Sequence, residues 1–162
     1  MTEGKSKASK SGLHKSPKTT HIKHVDINVL VSDWDGHRLL DSGDGLKLEE
    51  IGGVRMVRSE PKAWWKQSLP RSEWAQAVAV HEEGGREGHW KLNANCPRDW
   101  ETKLGKIKLL LRFMDNSKQF GVFAEQSPHW KWLAEKKSAN ATRPRLLNLF
   151  GYTGAASLVA AQ

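Results

Sequence analysis

Residues 146–162, LLNLFGYTGAASLVAAQ, decide the fold of this chain. The apolar run at 146–150 has the length of a buried strand of a parallel sheet. A turn with Gly151 and Gly154 follows, and then an alanine-rich pattern typical of a helix. A strand, a glycine turn and a helix in this order place backbone N–H groups where the polar atoms of a ligand bind, usually at the first step of a doubly wound sheet. The stretch therefore predicts the start of an α/β ligand-binding domain.

Only a short helical pattern follows Gly154, and no further strand comes after it. We therefore expect a truncated domain, with the neighbouring strands of the predicted sheet outside these 162 residues. The apolar side chains at 146–150 would then lack partners, which predicts poor solubility of the isolated chain.

The composition indicates a basic chain. The net charge is +8 and the isoelectric point is near 9.7, which favours a polyanionic partner such as nucleic acid. The mean hydropathy is −0.64 and no long apolar run occurs, so a transmembrane helix is not expected. Cys96 is the single cysteine, which excludes an internal disulfide and predicts a reducing, cytoplasmic location. The length permits one small domain and a fragment of a second.

Residues 1–20 have almost no apolar side chains. Such a composition cannot bury enough surface to offset the entropy of ordering, so we predict a disordered tail. Binding to a phosphate backbone and a merely solvated extension both remain open. The one acidic residue, Glu3, is outnumbered by the lysines Lys5, Lys7, Lys10, Lys15 and Lys18.

Residues 21–120 predict a small, mainly antiparallel β domain. Apolar residues alternate at 22–31, which is typical of a strand. Glycine turns then separate three further strand-like runs, which predicts an antiparallel meander with Arg55 on the sheet face opposite Val54 and Met56. The three runs lie at 38–41, 46–49 and 54–58.

The rest of this region is less regular. Residues 74–80 fit a strand or a short helix, and we favour a strand because 89–92 has the pattern of its return across a glycine-rich loop. Residues 106–113 are the clearest strand, which we expect in a sheet that joins the small domain to the next domain. A helix is predicted from Pro128 to about Lys137, with Ser127 as its cap.

The string NLFGYTGAAS at 148–157 resembles the first motif of class I S-adenosylmethionine (SAM)-dependent methyltransferases, in particular the branch related to ribosomal RNA cytosine-C5 methyltransferases. Two further strings are similar to segments of such enzymes: LLDSGDGLKLEEIGGVRMVRSEP at 39–61 and FGVFAEQSPHW at 120–130. The resemblance covers most of the chain beyond the tail. It implies SAM as the cofactor and RNA, in particular ribosomal RNA, as the substrate.

The resemblance also implies a set of cofactor-binding residues. Asn148 stands where many class I enzymes carry an acidic residue that orients the amino group of the cofactor, and its amide oxygen accepts the same hydrogen bond without charge assistance. Ser157 is implied to hold the loop, and Gln126 either reaches the pocket or serves only at the helix entry. The loop under the methionine part of SAM would comprise Phe150, Gly151, Tyr152, Thr153 and Gly154.

Other candidates are interpreted as structural. Cytosine-C5 methyltransferases attack the base with a cysteine thiolate, but Cys96 precedes Pro97 in the β region, far from the corresponding loop. His21 and His24 have no cysteine or acidic partner that would complete a metal site. The eight tryptophans either stack on unpaired bases or fill the core of the β domain, and we favour the core. No catalytic residue is identified.

These features predict an α+β chain: a disordered basic tail (1–20), a β-rich domain (21–120), a linking segment with a helix (121–142) and the truncated start of a Rossmann-like SAM-binding domain (143–162). The predicted function is the N-terminal part of a cytoplasmic SAM-dependent methyltransferase of RNA, inactive by itself. The alternative is a non-catalytic RNA-binding module that uses the basic tail and exposed aromatic residues. A dehydrogenase-type Rossmann domain is disfavoured, because the turn lacks the GxGxxG spacing.

Overall fold

The structure is a computed structural model that describes residues 31–84, 88–138 and 145–162. The predicted tail, most of the strand predicted at 22–31, and His21 and His24 lie outside these residues. The strands are β1 (His37–Gly43), β2 (Leu46–Ile51), β3 (Val54–Ser59), β4 (Ala79–Glu82), β5 (His89–Leu92), β6 (Asp99–Leu104) and β7 (Ile107–Arg112). The α-helices are α1 (Arg71–Trp74), α2 (Ser127–Ser138) and α3 (Ala155–Ala161), and a 3-10 turn spans Ala124–Gln126. The α+β class is therefore confirmed.

The larger sheet has five strands in the order β1-β2-β3-β4-β5. The first three form the predicted antiparallel meander, and Val54 and Met56 are buried while Arg55 is half-buried. Two-residue turns at Asp44-Gly45 and Gly52-Gly53 join these strands, and all four turn residues have positive φ, which glycine adopts without steric cost. β4 pairs with β3 in parallel, so the prediction of a simple antiparallel sheet is wrong at this one pairing.

The connection from β3 to β4 explains that pairing. A parallel pair needs a crossover segment, and residues 60–78 supply it, with the four-residue helix α1 inside. The strand predicted at 74–80 is therefore wrong in part: Trp74 ends α1, and the strand begins at Ala79. β5 returns antiparallel to β4 as predicted.

The second sheet is a hairpin of β6 and β7. The strand predicted at 106–113 is present as β7, but it pairs only with β6 within the described residues, not with a sheet that leads into a further domain. β6 was not predicted, because its sequence, DWETKL, has few apolar residues. Only Trp100 and Thr102 of this strand are buried. Trp100 joins the two sheets: its indole Nε1 donates to the carbonyl of Ile51 at 2.9 Å, and its ring lies 4.7 Å from that of Phe113.

The predicted helix is present as α2, which begins at Ser127. Ser127 does not cap it: the hydroxyl donates to the hydroxyl of Ser32 at 2.8 Å, and the preceding 3-10 turn leads the chain into the helix instead. Ser32 in turn donates to the carbonyl of Ala124 at 3.1 Å. In the part of the chain that the structure describes, no helix is long and apolar enough to cross a bilayer.

One apolar core connects both sheets with α2 and α3. Trp34 packs edge-on against Trp130 of α2 with ring centroids 5.6 Å apart, and its indole donates to the carbonyl of Lys103 at 2.7 Å. The predicted role of the tryptophans is correct for Trp34, Trp100 and Trp130, which are buried, but Trp64 and Trp65 are exposed. Helix α3 contributes Ala155 and Val159 to the same core, which also includes Ile51, Met56, Leu111, Phe113, Phe120 and Val122.

The strand predicted at 146–150 is not formed. The described residues contain no strand next to this segment, and without a partner its backbone cannot pair. Leu146, Leu147, Leu149 and Phe150 are consequently exposed rather than buried. Whether residues 143–162 start a Rossmann-like domain stays a prediction.

Candidate functional site

A cleft of about 440 Å³ lies between the segment 122–130 and the loop 148–156. The 3-10 turn and the first turn of α2 supply one side, and the loop before α3 supplies the other. Six of the residues predicted to bind the cofactor line it: Gln126, Asn148, Phe150, Gly151, Tyr152 and Thr153. The other two, Gly154 and Ser157, do not line the cleft but hold the loop that does.

Asn148 is oriented by Ser157. The Asn148 amide Nδ2 donates to the hydroxyl of Ser157, one turn into α3, at 2.8 Å. This bond leaves Oδ1 of Asn148 without a hydrogen-bond partner among the described residues. The space beside the amide is narrow, because a Cβ atom at Gly151 would lie 3.3 Å from Asn148 Nδ2. Asn148 therefore presents an acceptor beside a position that only a small residue suits.

Two side chains anchor the loop to the segment after β7. The hydroxyl of Thr153 donates to the carbonyl of Gly121 at 2.6 Å. Tyr152 packs on Phe123 with ring centroids 4.8 Å apart, and its hydroxyl contacts the sulfur of Met114 at 3.3 Å. Burial raises the pKa of Tyr152 above its ordinary value. These contacts fix the loop against the wall that carries Phe123.

The loop backbone is bent sharply. Phe150 and Tyr152 have φ values of 59° and 50°, in the left-handed region that non-glycine residues rarely adopt. Gly154 has φ of 88°, and its N–H donates to the carbonyl of Gly151 at 2.7 Å. The bend turns the ring of Phe150 fully outward. Strained backbone of this kind persists where surrounding contacts hold it, as those of Thr153 and Tyr152 do here.

Gln126 lies on the opposite wall. Its Oε1 lies 2.8 Å from Nδ1 of His129, one turn further into α2, so part of its hydrogen-bonding capacity serves the helix start. Gln126 therefore both lines the cleft and contacts the start of the helix, while its binding of a cofactor stays a prediction. The neighbouring Glu125 also lines the cleft, and the described residues include no ion-pair partner for it.

Several lining residues were not predicted as site residues: Val122, Phe123, Trp130, Leu149, Ala155 and Ala156. A signal for all six was present, since Val122, Phe123 and Trp130 belong to FGVFAEQSPHW, and Leu149, Ala155 and Ala156 belong to NLFGYTGAAS. Their position in the cleft, however, depends on how the two segments pack.

The other candidates stay apart from the cleft. Cys96 is half-buried, and burial raises the pKa of its thiol, which disfavours the thiolate and agrees with a structural role. Among the described residues, no group of three His, Cys, Asp or Glu side chains is arranged to hold a metal ion.

Comparison with solved structures gives two similar proteins. The first is the SAM-dependent methyltransferase from Agrobacterium tumefaciens, with 38% identity, a TM-score of 0.78, and coverage of 85% of this chain and 44% of that one. The second, a putative SAM-dependent methyltransferase from Streptococcus mutans, is 18% identical with a TM-score of 0.52 over 78% of this chain and 35% of that one, and it supports the fold alone.

No protein-family model matches the chain, and no curated protein sequence matches it significantly. The chain spans less than half the length of either similar structure. The chain is thus similar in sequence and in fold to the SAM-dependent methyltransferase from Agrobacterium tumefaciens.

Proposed function

We propose that this chain belongs to a class I SAM-dependent methyltransferase that modifies RNA, and that the cleft beside Asn148 forms one wall of its cofactor site. SAM is the expected cofactor, given the structural neighbours. The observation that carries the proposal is the gathering of six residues of the resembling motifs around one cleft, in a chain that is 38% identical to a methyltransferase. The ribosomal RNA cytosine-C5 branch is the finer part of the proposal and rests on the string NLFGYTGAAS.

The chemistry of the cleft fits the cofactor. Oδ1 of Asn148 is an acceptor for an ammonium group, and the backbone at Gly151 leaves room that a Cβ atom would reduce. Tyr152, Phe123 and Trp130 supply apolar surface for the remainder of the molecule. When bound, SAM supplies an activated methyl group on its sulfonium sulfur. The residues of this chain would hold and orient it, and orientation is a large part of the rate of such a transfer.

We further propose that these 162 residues do not complete the methyl-transfer site by themselves. The support is their coverage of 44% of the Agrobacterium tumefaciens protein. The activity would then belong to a longer protein that contains this segment. We propose a cytoplasmic location for it, because a single cysteine is compatible with a reducing compartment.

Calorimetric titration with SAM and with S-adenosylhomocysteine tests the cofactor site. We expect saturable binding that Gly151→Val weakens at least about tenfold, because the new side chain enters the space beside Asn148. Gly84→Val is the matched control, since a Cβ atom at Gly84 would meet nothing within 4 Å. Equal binding by both variants would contradict the proposed site, and absence of binding to the unchanged chain would show that this wall does not hold SAM by itself.

A second titration, with a structured RNA at several salt concentrations, distinguishes the methyltransferase from the alternative of a non-catalytic RNA-binding module. Affinity for a structured RNA should fall steeply with salt if the net charge of +8 contacts phosphates. Salt-dependent RNA binding together with cofactor binding supports the methyltransferase. Salt-dependent RNA binding without any cofactor binding supports the module.

A further inference from the structure

We propose that the hairpin of β4 and β5 opens in mild acid, because protonation of the buried His81 separates β5 from β4. This property is independent of the methyltransferase activity proposed above. β5 lies at the edge of the five-stranded sheet and pairs with β4 over four residue pairs. An edge element with so few pairings opens locally at a lower free energy than the fold as a whole.

His81, in β4, is buried without a hydrogen-bond partner. Only 6% of the residue is exposed, and within the described residues neither Nδ1 nor Nε2 has a partner. Its ring lies edge-on to that of Trp90 in β5, with centroids 5.3 Å apart, and a Cβ atom at Gly88 would lie 2.6 Å from its Cε1. The start of β5 and the residue before it therefore cover the ring. An imidazolium at this position would be a buried charge whose N–H groups meet no described acceptor, which is costly.

Arg58 of the neighbouring strand β3 lies on the same face of the sheet as His81. Met56 pairs with Ala79 in the parallel register of β3 and β4, and both side chains belong to the apolar core. Side chains alternate along a strand, so Arg58 and His81, each two residues further, also point to the core side. A positive charge on His81 would therefore lie on the same buried face as a guanidinium group.

The charges around His81 favour its neutral form. Burial is the largest cause that lowers the pKa of His81, and three basic groups lower it further. Glu83 opposes this shift, but Glu83 is exposed, and its carboxylate already accepts a hydrogen bond from the hydroxyl of Ser59. The basic groups are Lys118, His89 and Arg58.

The lowered pKa makes the hairpin sensitive to acid. In the open hairpin His81 is exposed to water, where a histidine has a pKa of about 6.5, so the open form binds a proton more tightly than the closed form. The closed form is therefore favoured most above about pH 6.5, and this preference is lost as the pH falls below that value.

Trp90 connects the opening of the hairpin to the second sheet. Its ring lies 4.5 Å from that of Phe113, which follows β7, and its indole Nε1 donates to the carbonyl of Ser117 at 2.8 Å. Separation of β5 from β4 moves Trp90 and therefore breaks both contacts.

Hydrogen exchange followed by mass spectrometry on the full 162-residue chain tests the proposal. Measurements between about pH 7.5 and 5.5 stay above the range in which Glu49 is protonated. After correction for the intrinsic pH dependence of amide exchange, the opening of β5 should increase about 3- to 10-fold towards pH 5.5. The amides of β1 and β2 should change less than about twofold, because the pairing of these strands does not include His81.

Two substitutions in the hairpin identify the histidine that is responsible. His81→Leu removes the titratable group and keeps a side chain of similar volume, so the acid-induced increase should fall below about twofold. His89→Leu is the matched control: it makes the same change in the same hairpin, but the His89 side chain is 66% exposed, so the increase should persist.

Nuclear magnetic resonance gives a second measurement that needs no substitution. The Cε1 proton of His81, assigned through its proximity to Trp90, should titrate with a midpoint below about 6.5. A midpoint at or above that value would overturn the proposal. So would an absent increase in the exchange of β5, an equal increase in β1 and β2, an unchanged increase in His81→Leu, or its loss in His89→Leu.

Discussion

Glu49 keeps its charge although only 3% of the residue is exposed. Burial by itself would raise its pKa, but hydrogen bonds from His37 and Arg58 and the positive charges of Arg58 and Lys47 outweigh it and lower the pKa from 4.5 to about 2. A carboxyl group with a lowered pKa stabilises the folded state above the pKa of the unfolded chain. This contribution is lost as the pH falls from about 4.5 towards 2.

Glu49→Gln should therefore reduce the free energy of unfolding at pH 7 by about 3 kcal/mol, because it leaves the Arg58 guanidinium buried without its counter-ion. Urea denaturation at several pH values between about 7 and 2.5 measures this change. The difference between the variant and the unchanged chain should shrink as the pH falls. Glu101→Gln is the control, because Glu101 is exposed and forms a loose ion pair with Lys108 at 3.8 Å. This substitution should change the free energy of unfolding by less than about 0.5 kcal/mol. Parallel pH profiles for Glu49→Gln and the unchanged chain would contradict the argument.

Among the elements, β6 contributes the side chain that joins the two sheets, Trp100. Trp100 is 7% exposed, and its ring contacts Phe113 and Phe120 while its indole reaches the end of β2. A Cβ atom at Gly52 would lie 3.0 Å from Trp100 Cδ1, so the β2–β3 turn sits directly on this ring. The two sheets are therefore held together by one side chain as well as by the shared core.

Trp100→Ala should lower the free energy of unfolding by about 3–5 kcal/mol, through the cavity left between the sheets and the lost hydrogen bond to Ile51. Equilibrium denaturation followed by far-UV circular dichroism measures the loss. Trp64→Ala removes an equally large but exposed side chain and should cost less than about 0.5 kcal/mol. A loss of similar size in both variants would show that Trp100 does not join the sheets.

Elements encoded by neighbouring residues could be predicted from the sequence. The hairpins of β1, β2 and β3 follow from glycines at two-residue turns, and α2 follows from local periodicity. The parallel pairing of β4 with β3 could not be predicted, because it depends on how residues 60–78 cross the sheet. At residues 146–150 a strand was predicted that does not form. The apolar pattern is strand-like, but a strand also needs a partner, which the described residues do not supply.

In the candidate site, too, the residues of one local motif could be predicted, whereas the contacts between distant segments could not. Asn148, Gly151 and Thr153 could be predicted because they lie in one contiguous motif. The hydrogen bond from Thr153 to Gly121 could not be predicted, since it spans 32 residues. Packing decides which distant residues meet, and no local pattern encodes that packing.

At the scale of the whole molecule, the exposed leucines near α3 predict self-association. Deleting residues 146–162 should reduce light scattering by the isolated chain, but it also removes Ala155 and Val159 from the core. The double variant Leu146→Glu, Leu147→Glu isolates the effect, because both side chains are exposed and neither lines the cleft. Ala94→Glu, Asn95→Glu adds the same charge at an exposed turn and should change scattering little. Unchanged scattering in the leucine variant would argue against this patch.

The hydrogen bonds of Ser32 have a consequence for the time course of synthesis. The partners of Ser32, Ala124 and Ser127, lie 92 and 95 residues later in the chain, so a ribosome adding about 5–20 residues per second reaches them only roughly 5–20 s later. During that interval the β1–β2–β3 meander can already form from local contacts. Ser32, which precedes β1, cannot form its hydrogen bonds until Ala124 and Ser127 have been synthesised. We therefore expect residues 31–36 to stay accessible to chaperones and proteases for longer than the β1–β2–β3 meander does.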